Sequence, residues 1–286
     1  MLSQNMRIFL LICISMLLVS CSKSGNNSED PVPDPPPPVY KPDNNVVAHR
    51  GAWKEFGLPD NSVAALKKAM EFNSYASECD IMMTKDRVVV VYHDETIGGK
   101  YFKDVNFSEI ENHLLSNGEK LPTLSVFLDE VVKNKNIQFW IDIKSLSDAA
   151  GGNAWAGETA KRAAELIREK KAQKQTSFIV GRKAVLDQAI FASRGEWPSG
   201  YMNTDYSPAQ FETNGYNWAN FSYTKFYESG SGNIPLIKSY TDKNIKVSVY
   251  TVDNNEAMEF FISQPDVFAI TTNEPFKLVQ KIRNRN

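Results

Sequence analysis

The chain has 286 residues, of which 42% are hydrophobic and 23% charged, enough apolar side chain to bury a large core, and a disordered or fibrous protein is excluded. Lys plus Arg number 32 and Asp plus Glu 34, a net charge of −2, which offers no footprint for gripping a nucleic-acid backbone and argues against nucleic acid as a partner. Three cysteines, at positions 13, 21 and 79, share no ligand-like spacing and make neither a disulfide framework nor a Cys-rich zinc site, so any metal must be held by other ligands.

Arg7 precedes an apolar run at 8–19, which suits the central part of a secretory signal and falls short of the roughly 20 residues of a spanning helix. Export is expected, without a permanent transmembrane helix. Leu18-Val19-Ser20-Cys21 resembles a bacterial lipobox, which predicts a lipoprotein signal peptide at 1–20, a lipid on Cys21 as the membrane anchor, and a place in the cell envelope at the outer membrane, facing the periplasm or the surface. An ordinary signal cleaved near Ser20 is the alternative. Residues 21–44 are rich in Pro, Ser and Asn and cannot bury enough apolar surface to fold, so they read as a tether, extending ~3.1 Å per residue in polyproline II geometry.

From residue 45 onward strand-like apolar runs alternate with amphipathic stretches, a pattern of α/β proteins with a largely parallel sheet. Nine strands are predicted: 45–49, 76–82, 88–93, 138–144, 176–180, 198–203, 218–222, 246–251 and 267–271. Helices are predicted at 61–72, with Asp60 or Asn61 as N-cap, and at 158–171. Only 83–87 separates the second strand from the third, too short for a parallel crossover, so these two should form an antiparallel hairpin. Eight strands are left to run parallel, which points to a (β/α)8 TIM barrel over 45–286 with its site at the C-terminal strand ends. A doubly wound sheet is the runner-up, and no glycine-rich loop follows the first strand to support it.

Two of the three histidines end strands, His49 in Val-Ala-His-Arg-Gly and His93 in Val-Val-Tyr-His-Asp, where an imidazole can exchange protons near neutral pH. Glu78 and Asp80 alternate on one strand and so share a face; Asp142 and Lys144 repeat the arrangement on another. Charged side chains inside a barrel are expensive unless paired or bound to a metal, and three converging carboxylates suit a hard divalent cation, Ca²⁺ or Mg²⁺. The competing structural reading pairs Asp142 with Lys144 and leaves Glu78 at a solvated rim.

In order and spacing, His49-Arg50-Gly51, Pro59-Asp60-Asn61-Ser62, Glu78-Cys79-Asp80, Thr84-Lys85-Asp86 and His93-Asp94 resemble the glycerophosphodiester phosphodiesterase family. Leu121-Pro122-Thr123-Leu124, Asp142-Ile143-Lys144, Tyr250-Thr251-Val252-Asp253 and Thr271-Thr272-Asn273-Glu274-Pro275 extend the likeness from 46 to 282. The resemblance implies a barrel enzyme that hydrolyses small glycerophosphodiesters to glycerol 3-phosphate and an alcohol with a divalent metal and two histidines. By position, it makes His49 and His93 the acid–base pair, Glu78, Asp80 and Asp142 the metal ligands, and Arg50 and Lys144 the binders of phosphoryl oxygens. Asp60 and Asp142 stand where the family usually has Glu, each shortening its reach by ~1.5 Å.

Segment 95–120 falls where the family inserts a cap over the mouth; His113 is read as a surface residue there, on a short helix with Ile110 and Leu114. Tyr101, Phe102 and Phe107 either pack that cap or meet the substrate's alcohol. Trp53 is the candidate substrate wall. The aromatic cluster around Trp218, Phe221 and Phe226 reads as core. Two alternatives keep the barrel: a phospholipase-like phosphodiesterase with a different head group, and a non-catalytic phosphate- or glycan-binding homologue.

Overall fold

The computed structural model describes residues 43–286 apart from Asn203 and Asn286. The signal peptide predicted at 1–20, the lipid site predicted at Cys21 and the predicted tether as far as residue 42 lie outside the described residues.

Nine strands form the main sheet: β1 Val46–Ala48, β2 Ala76–Met83, β3 Val89–Val91, β4 Gln138–Ile143, β5 Thr176–Val180, β6 Ser199–Met202, β7 Trp218–Ser222, β8 Lys246–Tyr250 and β9 Val267–Thr272. Eight run parallel in the order β1-β9-β8-β7-β6-β5-β4-β2, and a further parallel pairing of β1 with β2 closes the ring. Eight helices alternate with them: α1 Val63–Glu71, α2 Leu124–Val131, α3 Gly152–Glu169, α4 Lys183–Ser193, α5 Pro208–Asn214, α6 Ile234–Thr241, α7 Asn255–Ile262 and α8 Pro275–Arg283. This is the (β/α)8 barrel that the alternation predicts.

The hairpin β2–β3 is antiparallel, with Met83 opposite Val89, and its register shapes the site. β1 pairs with β2 only at Ala76 and Ser77, which leaves the edge at Ile81–Met83 for β3. Because β3 runs back down that edge, the Tyr92 N–H donates to the Asp80 carbonyl at 3.0 Å. His93 is the next residue after that contact and is thereby brought near Asp80.

Inside the ring, Val47, Ala76, Trp140, Ile179, Trp218 and Ala269 make one buried cluster, separate from the larger core between strands and helices. Trp140 and Trp218, with ring centroids 4.6 Å apart, fill the interior. Gly200 on β6 gives them room, since a Cβ there would lie 2.7 Å from the Trp218 indole. Gly200→Ala is expected to cost about 1–3 kcal/mol by overpacking, seen as a lower urea midpoint at unchanged slope. An unchanged midpoint would mean that the indole moves aside freely.

Several local expectations are corrected. The N-cap of α1 is Ser62, whose hydroxyl accepts from the Ala65 N–H; Asn61 instead takes a left-handed backbone at φ 54° and turns its amide toward the site. α3 starts at Gly152, six residues before the predicted start, because Gly151 and Gly152 make a left-handed turn that reads as a loop in sequence. His113 is not helical: its carbonyl accepts from Leu121, and its ring meets Tyr92 edge-on at 6.2 Å. The insertion also contains a small hairpin, Thr96–Ile97 with Lys100–Tyr101. Phe102 is buried, and Tyr101 and Phe107 pack against the core. Glu95 accepts from the Ser147 N–H at 2.7 Å, and Glu119 accepts from the Val63 and Ala64 N–H groups, so the insertion is fastened at two sides. Trp218, Phe221 and Phe226 are core, as predicted.

Candidate active site

The chain leaves β1 through His49-Arg50-Gly51, and Arg50 and Gly51 both adopt positive φ, 54° and 81°. A Cβ on Gly51 would lie 2.7 Å from the backbone carbonyl carbon of Ala65, so only glycine lets this turn pass so close to α1. The turn aims the Arg50 N–H at Glu78, whose Oε2 accepts at 2.8 Å.

β2 and β4 are in register with Asp80 opposite Asp142, and alternation puts Glu78 on the same face as Asp80. Glu78, Asp80 and Asp142 are 2%, 1% and 4% exposed, and one oxygen from each lies within 4.8 Å of the others. Glu78 is therefore buried, not at a solvated rim. Lys144 bridges two of the three, its Nζ 3.1 Å from Asp80 Oδ1 and 3.0 Å from Asp142 Oδ2. Arg50 reaches Asp60 Oδ2 through Nη1 at 2.9 Å; its Nε lies 3.1 Å from Asp80 Oδ2 without the alignment of a hydrogen bond. The short Asp60 thus serves Arg50 and stands outside the carboxylate cluster, whereas the short Asp142 still reaches it.

Asn61 is a further site residue, beyond those expected from sequence. Its Nδ2 donates to Asp80 Oδ2 at 2.8 Å, and its Oδ1 accepts from the Asp80 N–H at 3.0 Å. The position directly after Asp60 is the only sequence signal for it.

Burial pushes the Glu78 carboxyl well above its ordinary pKa, and the charges of Asp80 and Asp142 add to this. Burial also lifts Asp142, to about 6, with Lys144 opposing and Asp80 assisting. For Asp80, burial is outweighed by Lys144, Arg50 and the Asn61 amide, which together hold it below the usual carboxylate range. Burial would lower Lys144, yet Asp142 and Asp80 hold it above the ordinary ammonium value. Three buried carboxylates face two cations, and Asp142 Oδ1 is buried without a partner among the described residues. An all-oxygen donor set with an orphaned acceptor and excess negative charge fits a hard divalent cation.

His49 Nδ1 lies 2.7 Å from Asn273 Oδ1, and burial, helped by Arg50, holds its pKa below the ordinary value. His93 has a side chain 39% exposed, with Nδ1 2.8 Å from Asp94 Oδ1. His49, Arg50, Glu78, Asp80, Asp142 and Lys144 line one cavity of about 400 Å³. Its opposite wall is neutral and includes Ile179, Met202, Asn220 and Tyr250. His93 and Trp53 are not part of the lining. The Trp53 indole N–H donates to Asn273 Oδ1 at 3.3 Å.

A family profile described as the glycerophosphoryl diester phosphodiesterase family matches residues 49–277. A glycerophosphodiester phosphodiesterase of Caldanaerobacter subterraneus is 38% identical over 113 residues, 35% of this chain and 45% of the relative. The chain spans about half or less of the length of the curated relatives it matches. The crystal structure of a glycerophosphodiester phosphodiesterase from Parabacteroides distasonis superposes with a TM-score of 0.75 at 30% identity, covering 86% of this chain and 99% of that one. An Oleispira antarctica phosphodiesterase, solved in complex with the product sn-glycerol-3-phosphate, shares the fold with a TM-score of 0.68 at 18% identity, covering 84% of this chain and 97% of that one.

Proposed function

The chain belongs to the glycerophosphoryl diester phosphodiesterase family, and on that footing we propose that it hydrolyses small glycerophosphodiesters to glycerol 3-phosphate and an alcohol. The observation that carries this reading is the convergence of Glu78, Asp80 and Asp142 with Arg50, Lys144 and His49 on one cavity. The three carboxylates would hold a divalent cation, Ca²⁺ or Mg²⁺. When bound, such an ion supplies positive charge that offsets the phosphodiester's own and makes its phosphorus open to attack.

Arg50 and Lys144 bind the non-bridging phosphoryl oxygens and orient the ester. His49 is half-buried with its pKa held below the ordinary value, so it accepts the proton of the attacking hydroxyl, either water or the glycerol 2-hydroxyl. His93 stands on the solvent side and donates a proton to the leaving alkoxide. Trp53, outside the cavity lining, would wall the part of the substrate that extends beyond the cavity.

The test is a substrate panel. Glycerol 3-phosphate release from glycerophosphocholine and glycerophosphoethanolamine should far exceed any cleavage of intact phosphatidylcholine in micelles. The opposite preference would favour the phospholipase-like reading, and no turnover with saturable phosphate binding would favour a binding protein. Asn61→Gly keeps the left-handed backbone but removes both contacts with Asp80, and it is expected to weaken metal binding about 10–100-fold by calorimetric titration. Equal affinity in the variant would exclude a supporting role for the amide.

The reading extends to location: export through 1–20, lipidation at Cys21 and a Pro-rich tether at 21–44 would hold a barrel of 45–286 in the cell envelope. Cys21→Ala is expected to move the protein from the membrane fraction to the soluble one.

A further inference from the structure

Asn273 follows β9 and Asp253 follows β8, and the two side chains are joined. The Asp253 carboxylate accepts three hydrogen bonds: Oδ1 from Thr272 Oγ1 at 3.0 Å and from the Asn273 N–H at 2.9 Å, Oδ2 from Asn273 Nδ2 at 2.8 Å. An ionised carboxylate only accepts, so the Asn273 atom facing Asp253 is the NH₂ group. The atom facing away is therefore the carbonyl Oδ1. Trp53 requires the same answer independently, since its indole N–H can only donate and lies 3.3 Å from that atom. With Oδ1 thus settled as an acceptor 2.7 Å from His49 Nδ1, that ring nitrogen must carry the hydrogen. In the neutral ring Nε2 is then the nitrogen with the lone pair.

We propose that Asn273 and Asp253 are positioning residues that hold His49 in the Nδ1–H tautomer, with Nε2 as the basic nitrogen, and that the same Asn273 oxygen ties the orientation of Trp53 to that of His49. Neither residue needs to touch the substrate. Asp253 acts at one remove: it fixes which end of an amide His49 meets. Lys54 Nζ, 3.7 Å from Asp253 Oδ2 and 3.0 Å from Glu274 Oε1, helps to hold the carboxylate ionised, and the three hydrogen bonds do the same.

The arrangement can be inverted and restored by substitution. In Asp253→Asn the introduced amide keeps an oxygen for Thr272 and the Asn273 N–H only by pointing its NH₂ at the NH₂ of Asn273. Two donors cannot face each other, so Asn273 flips, gives up the long 3.3 Å bond from the Trp53 indole and offers its own NH₂ to His49, which forces the hydrogen to Nε2. Adding Asn273→Asp repairs the polarity, because the amide at 253 then donates to one oxygen of a carboxylate at 273 whose other oxygen accepts from His49 Nδ1.

The tautomer is read from long-range nitrogen–proton correlations of the imidazoles at pH 7.5, with the three histidines assigned by replacing His93 and His113 singly. Wild type should show Nδ1–H at His49, Asp253→Asn mainly Nε2–H, and the double variant Nδ1–H again. Turnover of glycerophosphocholine, an arm that rests on the proposed function, should fall about 100-fold in kcat for Asp253→Asn with KM within about 3-fold, and the double variant should recover at least about 10-fold. Retention of Nδ1–H in Asp253→Asn, or a double variant with the ring still inverted, would overturn the inference. Absence of turnover in wild type would count against the proposed function alone, because the spectra decide the tautomer without substrate.

Discussion

His49→Ala is expected to lower kcat for glycerophosphocholine by about three to four orders of magnitude while leaving metal affinity within a few-fold of wild type. The expectation follows from placement. The ring lines the cavity with Arg50 and Lys144, the proposed binders of the phosphoryl oxygens, has its pKa held down by burial, and is anchored through Nδ1. Removing it leaves the carboxylate cluster whole, because no hydrogen bond joins His49 to Glu78, Asp80 or Asp142 among the described residues. Single-turnover kinetics beside calorimetric metal titration separate the two effects. A loss of metal binding as large as the loss of rate would move His49 from proton transfer to structure.

The second large effect is on stability and has a sign that depends on pH. Asp142 has its pKa raised from 3.8 to about 6, chiefly by burial. The folded state therefore binds a proton more tightly than the unfolded one, and the contribution is fully present below pH 4 and lost as pH rises through about 6. Linkage puts the loss at about 3 kcal/mol. In chelator, urea unfolding should show wild type losing about that much relative to Asp142→Asn between pH 4 and pH 7.5. A divalent cation bound as proposed would reverse the trend, since it would displace the proton and bind only the folded cluster. At a hundredfold excess over its dissociation constant it adds about 2.7 kcal/mol. That gain should appear at pH 7.5, shrink as pH falls through 6, and be absent from Asp142→Asn. Equal stabilisation of both proteins by the cation would exclude Asp142 as a ligand.

Much of the architecture was legible because it depends on short-range pattern. Alternation on the predicted strands 76–82 and 138–144 set Glu78, Asp80 and Asp142 on inward faces, and five residues between two strands were enough to require a hairpin. What the hairpin achieves was not legible. Its value is that β1 leaves the upper edge of β2 free, so that β3 can descend and bring His93 near Asp80. Strand register is a property of three segments together, and no one of them states it.

Helix starts failed for a related reason. Asn61 and Ser62 are both good caps, and the choice between them was made by Asp80, which takes the Asn61 amide and leaves the cap to Ser62. The Asp253–Asn273 pair was hidden likewise. Both residues sit in strand-end motifs, but their contact with each other spans 20 positions and that with His49 spans 224. Polar side chains in loops carry no periodicity, so their partners emerge only once the ring has closed.

Metal-dependent hydrolysis at this cluster is tested most directly by titrating chelated protein with Ca²⁺, and separately with Mg²⁺, while glycerol 3-phosphate release from glycerophosphocholine is followed. Expected are no release in chelator, a rise that saturates with occupancy of the Glu78–Asp80–Asp142 cluster for at least one of the two ions, and no rise in Glu78→Gln. Full release in chelator, or a Glu78→Gln variant activated like wild type, would contradict metal-dependent hydrolysis there.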